Sequence, residues 1–251
     1  MDCSALLVID MQNDFIDPKG SLYSPSYSPI VNNINDYVKI YPWRLIVYTQ
    51  DWHPKNHISF QIWPPHCIQG TWGAQLYDKL QLTSSYIQLE KGYDYDQDSY
   101  SAFFDERKVY STGLNSVLKS RGINNLYVCG VDEKICVRAT CLDAVYLGYK
   151  CTLLVNATAT SSSIAGDLPL DELKNAGVHL HTGCSQLNVS CPNNICAREQ
   201  RPNSNKKSNK KLNANKKPES NKKSNSNKKS DSNKKSDSKL VLNYNSDSGS
   251  D

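Results

Sequence analysis

The stretch LYVCGVDEKICVRATCLDAVYLGY, residues 126–149, decides the fold because it holds a strand, a sharp turn and a helix in one run. Its first apolar residues are nearly continuous, which is typical of a strand buried on both faces of a parallel sheet. After the turn, four small or apolar residues share one helical face: Val137, Cys141, Ala144 and Val145. Gly148 then supplies a helix stop signal. A strand that leads directly into a helix is the repeating unit of α/β proteins.

The same unit recurs along the chain. Five further short apolar runs, at residues 5–10, 44–50, 86–91, 149–156 and 178–183, alternate with segments of helical spacing. Two more helices are predicted at 113–122 and 168–177, where a glycine again follows the last periodic residue. The pattern predicts an α/β fold with three layers, α/β/α, around a mostly parallel, doubly wound sheet of six strands.

Composition and charge divide the 251 residues into two unlike parts. Residues 1–198 have a globular composition and a net charge of −4, whereas residues 199–251 are rich in Lys, Asn and Ser and carry +8. The second part has too few apolar side chains to offset the entropy of folding. We therefore expect one domain at 1–198 and a disordered tail at 199–251. A polybasic arm is the alternative, but its lysines are diluted and no aromatic residue is interleaved for stacking, so a nucleic-acid partner is not expected.

Targeting signals are not evident at the start of the chain. The first apolar run ends at Asp10 without a basic segment before it, and no run in the sequence has transmembrane length. We expect a cytoplasmic protein, with the nucleus as a further location, and nine cysteines that are reduced thiols.

Chemically distinctive residues stand where the predicted strands end. Asp10, Asp51 and Lys91 close or follow the first three strands, and Cys136 follows the fourth at the start of a helix. Carboxyl ends of parallel strands form the binding edge of such sheets. A helix N-terminus favours thiolate over thiol, and its N–H groups can hold an oxyanion, so Cys136 is a candidate nucleophile. Taken singly, the cysteine could equally be a buried small hydrophobe and the charges ordinary solvated strand ends.

Three of the five histidines lie in the stretch DWHPKNHISFQIWPPH, residues 51–66. Asp51 and His53 point to the same side of an extended strand exit, His57 lies across the turn, and His66 returns from the next loop. One carboxylate and two or three imidazoles suit Zn²⁺, Fe²⁺ or Mn²⁺. The spacing matches no common metalloprotease signature, so a polar surface loop remains the alternative.

Taken together, the motifs of the chain resemble those of nicotinamidases, which are isochorismatase-like cysteine hydrolases. The segments that carry the resemblance, over roughly residues 4–160, are LLVIDMQNDF (6–15), DWHPKNHISF (51–60), WPPHCIQGTWGA (63–74), LEKG (89–92), SYSAF (99–103) and GVDEKICVRATCLDA (130–144). Both their order and their spacing are preserved.

The resemblance implies three groups of site residues. The catalytic triad would be Asp10, Lys91 and Cys136. The ligands of one divalent metal, Zn²⁺ first with Fe²⁺ or Mn²⁺ as alternatives, would be Asp51, His53 and His66, with His57 a further ligand or a close neighbour. The aromatic walls of the substrate pocket would be Phe15, Trp63 and Tyr100.

An oxyanion hole is implied at the turn before the cysteine. It would use the backbone N–H groups of Asp132 and Cys136, beside a cis peptide between Val131 and Asp132. Many relatives have alanine where this chain has Asp132. A carboxylate there would oppose the developing negative charge unless it turns into solvent.

The activity implied is hydrolysis of nicotinamide to nicotinate and ammonia through a cysteine thioester, in NAD salvage, by a homo-oligomer. One alternative is another amidase of the same superfamily that acts on a ureido or carbamoyl compound, although such relatives generally lack the Asp/His metal set. A second alternative is a non-catalytic binding protein that uses its basic tail.

Overall fold

A single twisted sheet forms the centre of the protein. The computed structural model describes residues 3–183, residue 187 and, as backbone, residues 240–244. The six parallel strands are β1 (Cys3–Ile9), β2 (Leu45–Asp51), β3 (Ser85–Lys91), β4 (Ile123–Gly130), β5 (Lys150–Thr158) and β6 (His179–His181). They lie in the order β6-β5-β4-β1-β2-β3. The predicted six-stranded, doubly wound parallel sheet is therefore confirmed.

A seventh strand, β7 (Leu240–Tyr244), pairs antiparallel with β3 at the edge of the sheet. It lies inside the segment for which the sequence predicts disorder, and that expectation is wrong at these five positions. The sequence LVLNY is a short apolar run with strand-forming residues, which the Lys/Asn/Ser composition around it conceals. Pairing also occupies the backbone groups that an edge strand leaves open. The other residues of the tail lie outside the described residues.

Helices cover both faces of the sheet. They are α1 (Asn13–Ile16), α2 (Ile30–Ile40), α3 (Leu114–Ser120), α4 (Arg138–Tyr146) and α5 (Leu170–Asn175). The buried residues of α3, α4 and α5 share one apolar core with Ala5, Leu7 and Ile9 of β1, whereas α2 packs in a second core with Leu6 and Val8. Alternate residues of one strand thus face opposite cores, as the three-layer prediction requires. Helix α2 was not predicted from the sequence.

The strand order reverses beside β1, which lies between β2 and β4. Such a switch point opens a crevice at the carboxyl ends of the strands. Asp51 and Lys91 are register partners at the ends of β2 and β3. On the other side, a Cβ atom on Gly130 would lie 2.2 Å from the carbonyl oxygen of Ile9, so only glycine permits the close approach of β4 to β1.

Two further features concern membrane-spanning helices and the state of the cysteines. Within the part of the chain that the structure describes, no helix combines the length and apolar character needed to cross a bilayer. The six cysteines in the same part are free thiols.

Candidate active site

A buried lysine stands at the centre of the strand ends. The side chain of Lys91 is fully enclosed, and its Nζ lies 2.9 Å from Oδ2 of Asp10 and in close contact with Oδ1 of Asp51. It also donates to the backbone carbonyl of Ser99 at 3.0 Å and to Sγ of Cys136 at 3.6 Å. Burial alone would lower the pKa of Lys91, but the two carboxylates raise it well above its usual range. The structure therefore brings all four predicted strand-end residues together.

Asp10 is held in place by β2. It adopts a left-handed φ of 50°, and its N–H donates to Oγ1 of Thr49 at 3.0 Å. The same hydroxyl donates to Oδ1 of Asp10 at 2.6 Å, which leaves Oδ2 to face Lys91. Burial raises the pKa of Asp10 to about 6, although Lys91 and Thr49 act in the opposite direction. The carboxylate is thus able to exchange a proton near neutral pH.

Gln12 fixes the distance between the ends of β1 and β2. Its fully buried side chain donates to the carbonyl oxygens of Asp51 (2.8 Å) and Ala74 (2.9 Å) and accepts from the N–H of Asp51 (2.8 Å). Neither Gln12 nor Thr49 was predicted as a site residue. Both lie within or beside the predicted strand ends, which is the signal that could have found them.

Cys136 lies in a π-helical turn, Glu133–Val137, which leads directly into α4. Of the two environments that the sequence leaves open for Cys136, an exposed helix N-terminus and a buried position, the structure has the second. Cys136 is buried, and burial raises the pKa of its thiol well above the usual range, with Lys91 offsetting only part of the effect. The nucleophile therefore needs a base, and a carboxylate oxygen of Asp10 lies within 4.8 Å of Sγ of Cys136.

Asp51, His53 and His66 form a group whose ligand atoms all lie within 4.8 Å of one another, so they could hold a metal ion. Nδ1 of His53 donates to the carbonyl oxygen of Gly92 at 2.6 Å, and Nδ1 of His66 donates to that of Pro64 at 2.7 Å. Because a carbonyl oxygen only accepts, each imidazole keeps its Nε2 lone pair for a metal. Nε2 of His53 lies 3.7 Å from Oδ2 of Asp51.

His57 occupies a different position from these three residues. Its ring stacks on that of His53 with a centroid distance of 4.0 Å. Its Nδ1 lies 2.6 Å from Oγ of Ser59, and its Nε2 lies 3.2 Å from the carbonyl oxygen of Gln97. With both nitrogens engaged, His57 supports the ring of His53.

Asp132 does not turn into solvent, although a carboxylate beside an oxyanion hole is expected to do so. Its carboxylate is buried and accepts hydrogen bonds from the hydroxyl groups of Tyr27 and Thr160 and from the backbone N–H groups of Lys134 and Ser161. The predicted cis peptide between Val131 and Asp132 is present. The sequence gives no signal for Tyr27 or the segment 160–161, because both are remote from the cysteine motif.

A cavity of about 180 Å³ opens onto these groups. It is lined by the predicted aromatic residues Phe15, Trp63 and Tyr100, by Asp10, Asp51, His66, Asp132 and Cys136, and by Tyr27, Asp98, Ser161, Ser163 and Ile164 among others. A small, partly aromatic pocket with convergent polar groups is typical of a site for a small ligand.

The family model described as the isochorismatase domain matches residues 4–183. The chain belongs to the isochorismatase family. It is 36% identical over 186 residues to the nicotinamidase of Saccharomyces cerevisiae, a match that covers 61% of this chain and 86% of the yeast protein.

Solved structures of the isochorismatase family give the same result. The chain is similar to PnC1 from L. infantum in complex with nicotinate, with a TM-score of 0.68 and 41% identity over 71% of this chain and 92% of that one. It is also similar to the pyrazinamidase of Pyrococcus horikoshii in complex with zinc, with a TM-score of 0.60 and 34% identity over 71% and 98% of the two chains. The resemblance read from the motifs is therefore confirmed.

The contact between Gly92 and His53 yields a prediction about the metal group. A Cβ atom on Gly92 would lie 2.7 Å from Cε1 of His53 and would displace the ring. We expect Gly92→Ala to weaken Zn²⁺ binding by about 10- to 100-fold, as measured by competition with a fluorescent chelator.

Gly122→Ala is the matched control. Gly122 has a φ of 65°, almost the same as the 64° of Gly92, but a Cβ atom at this position would meet nothing within 4 Å. Backbone strain is therefore equal in the two variants, and equal Zn²⁺ affinities would contradict the assigned role of Gly92.

Proposed function

We propose that the protein is a metal-dependent amidase that hydrolyses nicotinamide to nicotinate and ammonia through a thioester on Cys136. The observation that carries the proposal is the convergence of Cys136, Asp10 and Lys91 beside a small aromatic pocket that Asp51 and His66 also line. Nucleophile, base and cation lie together, and Asp51, which contacts Lys91, joins them to the candidate metal group.

The residues present fit a divalent metal. Two imidazoles are fixed by backbone carbonyls with Nε2 free, and Asp51 supplies a carboxylate. An ion held by Asp51, His53 and His66 would bind the ring nitrogen of the substrate and so orient it. This donor set suits Zn²⁺, with Fe²⁺ or Mn²⁺ as alternatives.

The chemistry at Cys136 begins with proton transfer. Asp10 accepts the thiol proton of Cys136, and the ammonium group of Lys91 stabilises the carboxylate before this transfer and the thiolate after it. Sγ then attacks the carboxamide carbon, and a C–S bond forms. The negative charge that develops on the carbonyl oxygen is held by the backbone N–H groups of Asp132 and Cys136.

Asp10 then returns the proton to the leaving nitrogen. The C–N bond breaks, ammonia departs, and the acyl group remains on Cys136 as a thioester. Asp10 next takes a proton from water, and the hydroxide attacks the thioester. The C–S bond breaks, Asp10 gives its proton to the departing sulfur of Cys136, and the acid loses its own proton to solvent and leaves as nicotinate. Phe15, Trp63 and Tyr100 would contact the ring throughout.

Ammonia release from nicotinamide tests the proposal directly. We expect Zn²⁺-loaded wild type to be active and Cys136→Ala to fall to background, because the nucleophile is lost. Chelation should lower kcat/KM by about 100-fold, because the substrate loses its orientation, and added Zn²⁺ should restore it.

Two results would argue against parts of this proposal. Full activity after chelation would remove the metal from the mechanism and favour an amidase for ureido or carbamoyl substrates. A wild-type protein that is silent on nicotinamide when loaded with Zn²⁺ would overturn the substrate.

The pH dependence should report Asp10. Because Asp10 must be ionised to accept the thiol proton and its pKa is raised to about 6, kcat/KM should fall as pH drops through about 6. Thr49→Val removes a hydrogen bond that lowers this pKa. The acid limb should therefore move to higher pH, with a several-fold loss of activity at pH 6.

Thr49→Ser serves as the control because it keeps the hydroxyl group. Its pH profile should overlay that of wild type. If Thr49→Val leaves the acid limb in place, Asp10 is not the group that the profile reports.

Removal of the basic tail distinguishes the amidase from the alternative, a binding protein that uses this tail. The residues that line the pocket all lie between Asp10 and Ile164, so a chain that ends at residue 198 should keep its full kcat for nicotinamide. Loss of amidase activity on truncation, or strong salt-sensitive binding of RNA by the tail, would favour the alternative. Cytoplasmic location, NAD salvage and assembly into a homo-oligomer stay predictions.

A further inference from the structure

The buried carboxylate of Asp132 has a specific set of partners. Its Oδ1 accepts from the N–H of Lys134 at 2.8 Å and from the hydroxyl group of Thr160 at 2.9 Å. Its Oδ2 accepts from the hydroxyl group of Tyr27 at 2.8 Å and from the N–H of Ser161 at 2.8 Å, and it also lies 2.9 Å from the hydroxyl group of Thr160. Every partner is a donor, so the site is built for a carboxylate.

These partners come from three separate segments of the chain. Lys134 belongs to the turn that carries Cys136, Tyr27 precedes α2, and Thr160 and Ser161 follow β5. Tyr27 and Ser161 line the cavity together with Asp132. The carboxylate therefore connects the cysteine turn to two parts of the pocket wall.

A second connection runs between the same turn and the same wall. Nζ of Lys134 donates to the carbonyl oxygen of Ile164 at 2.9 Å and contacts that of Gly166. An acidic and a basic side chain, two residues apart on the turn, thus hold the segment 160–166 at both of its ends.

Asp132 also shapes the turn itself. Its side chain caps the π-helical turn through the N–H of Lys134, and its carbonyl oxygen accepts from the N–H groups of Ile135 and Val137, each at 3.1 Å. Alanine at this position could supply the carbonyl acceptor but not the side-chain cap.

We propose that the Asp132 carboxylate is a positioning group, which locks the cysteine turn to the pocket wall and so aims the N–H groups of Asp132 and Cys136 at the reacting carbonyl. This inference rests on the proposed amidase function. The negative charge of the carboxylate is directed into four donors, three of them outside the turn, and stabilises the hole instead of opposing it.

Asp132→Asn is the most informative variant. The N–H groups of Lys134 and Ser161 are backbone donors that cannot reverse, and they bind opposite oxygens of the carboxylate. Whichever way the amide of asparagine turns, its NH₂ group must face one of them. A near-isosteric change should therefore lower kcat for nicotinamide by about 10- to 100-fold, the range expected when oxyanion donors are misplaced.

A comparison of two ligands separates positioning from general damage. The Cys136 thiol can add to the aldehyde carbon of pyridine-3-carbaldehyde: a C–S bond forms, the C=O π bond breaks, and the oxygen takes the thiol proton. The resulting tetrahedral adduct places its oxygen in the hole, whereas nicotinate forms no such adduct. Asp132→Asn should weaken aldehyde binding by the same factor as kcat and leave KM and the Kd of nicotinate nearly unchanged.

Two further variants complete the experiment. Asp143→Asn is the matched control, since Asp143 is a buried carboxylate that accepts from Lys108 at 2.6 Å and does not line the cavity. It should behave as wild type in both ligand assays. Tyr27→Phe removes one donor and leaves both backbone donors, so it should show a smaller loss in the same direction and keeps the test open if Asp132→Asn fails to fold.

The outcomes decide between the possibilities. Wild-type values of kcat and aldehyde affinity in Asp132→Asn would overturn the proposal. Equal losses of aldehyde and nicotinate affinity would also overturn it, because they indicate a purely structural role. If wild type itself releases no ammonia, the proposed function fails. Hydrogen exchange of backbone amides then tests separately whether Asp132 connects the turn to the pocket wall. Asp132→Asn must accelerate exchange of the Lys134 and Ser161 amides, and unchanged exchange at both would refute the connection.

Discussion

The ammonium group of Lys91 is the contact on which the rest of the site depends. A buried charge is tolerated only when it is paired and hydrogen-bonded, and Lys91 has two carboxylates and a carbonyl oxygen around it. Each carboxylate comes from a different strand, so the single cation draws the ends of β1, β2 and β3 to one point. Removal of Lys91 would leave Asp10 and Asp51 buried together without a counter-charge, a loss of about 3–5 kcal/mol by comparison with other buried pairs.

Asp51 joins what at first look like two sites. One of its oxygens contacts Lys91, which belongs to the cysteine group, and the other faces His53, which belongs to the candidate metal group. Burial alone would raise the pKa of Asp51, but Lys91 and His53 hold it well below the usual range. A permanently ionised carboxylate is what both neighbours require. The cysteine group and the candidate metal group therefore share the side chain of Asp51, so a change to this residue affects both groups.

Much of this arrangement follows from the sequence. Parallel strands end on the same edge of a sheet, so Asp10, Asp51 and Lys91 could be placed together before any coordinates, and the fold prediction is confirmed. The surroundings of Asp132 could not be foreseen, because Tyr27 and Ser161 are more than 25 residues away in the chain and reach it only after the sheet and both helical layers have formed. The burial of Cys136 could not be decided from the sequence for the same reason, since a helix N-terminus is exposed only where no other segment packs over it. The strand Leu240–Tyr244 was missed because the composition was averaged over the whole Lys/Asn/Ser-rich segment around it.

The register pairing of Asp51 with Lys91 has a consequence for how the sheet is assembled. Side chains alternate between the two faces of a strand, so a slip of one residue between β2 and β3 would send the ammonium and the carboxylate to opposite faces. Their contact would be lost, and Asp51 would stay buried without its cation, at a cost of several kcal/mol. The alternation of β3 acts in the same direction, because a slip would also move the half-buried Gln88 and Glu90 to the buried face of Ile87 and Leu89. The side chains that form the site thus also specify the alignment of β2 with β3 in the finished sheet.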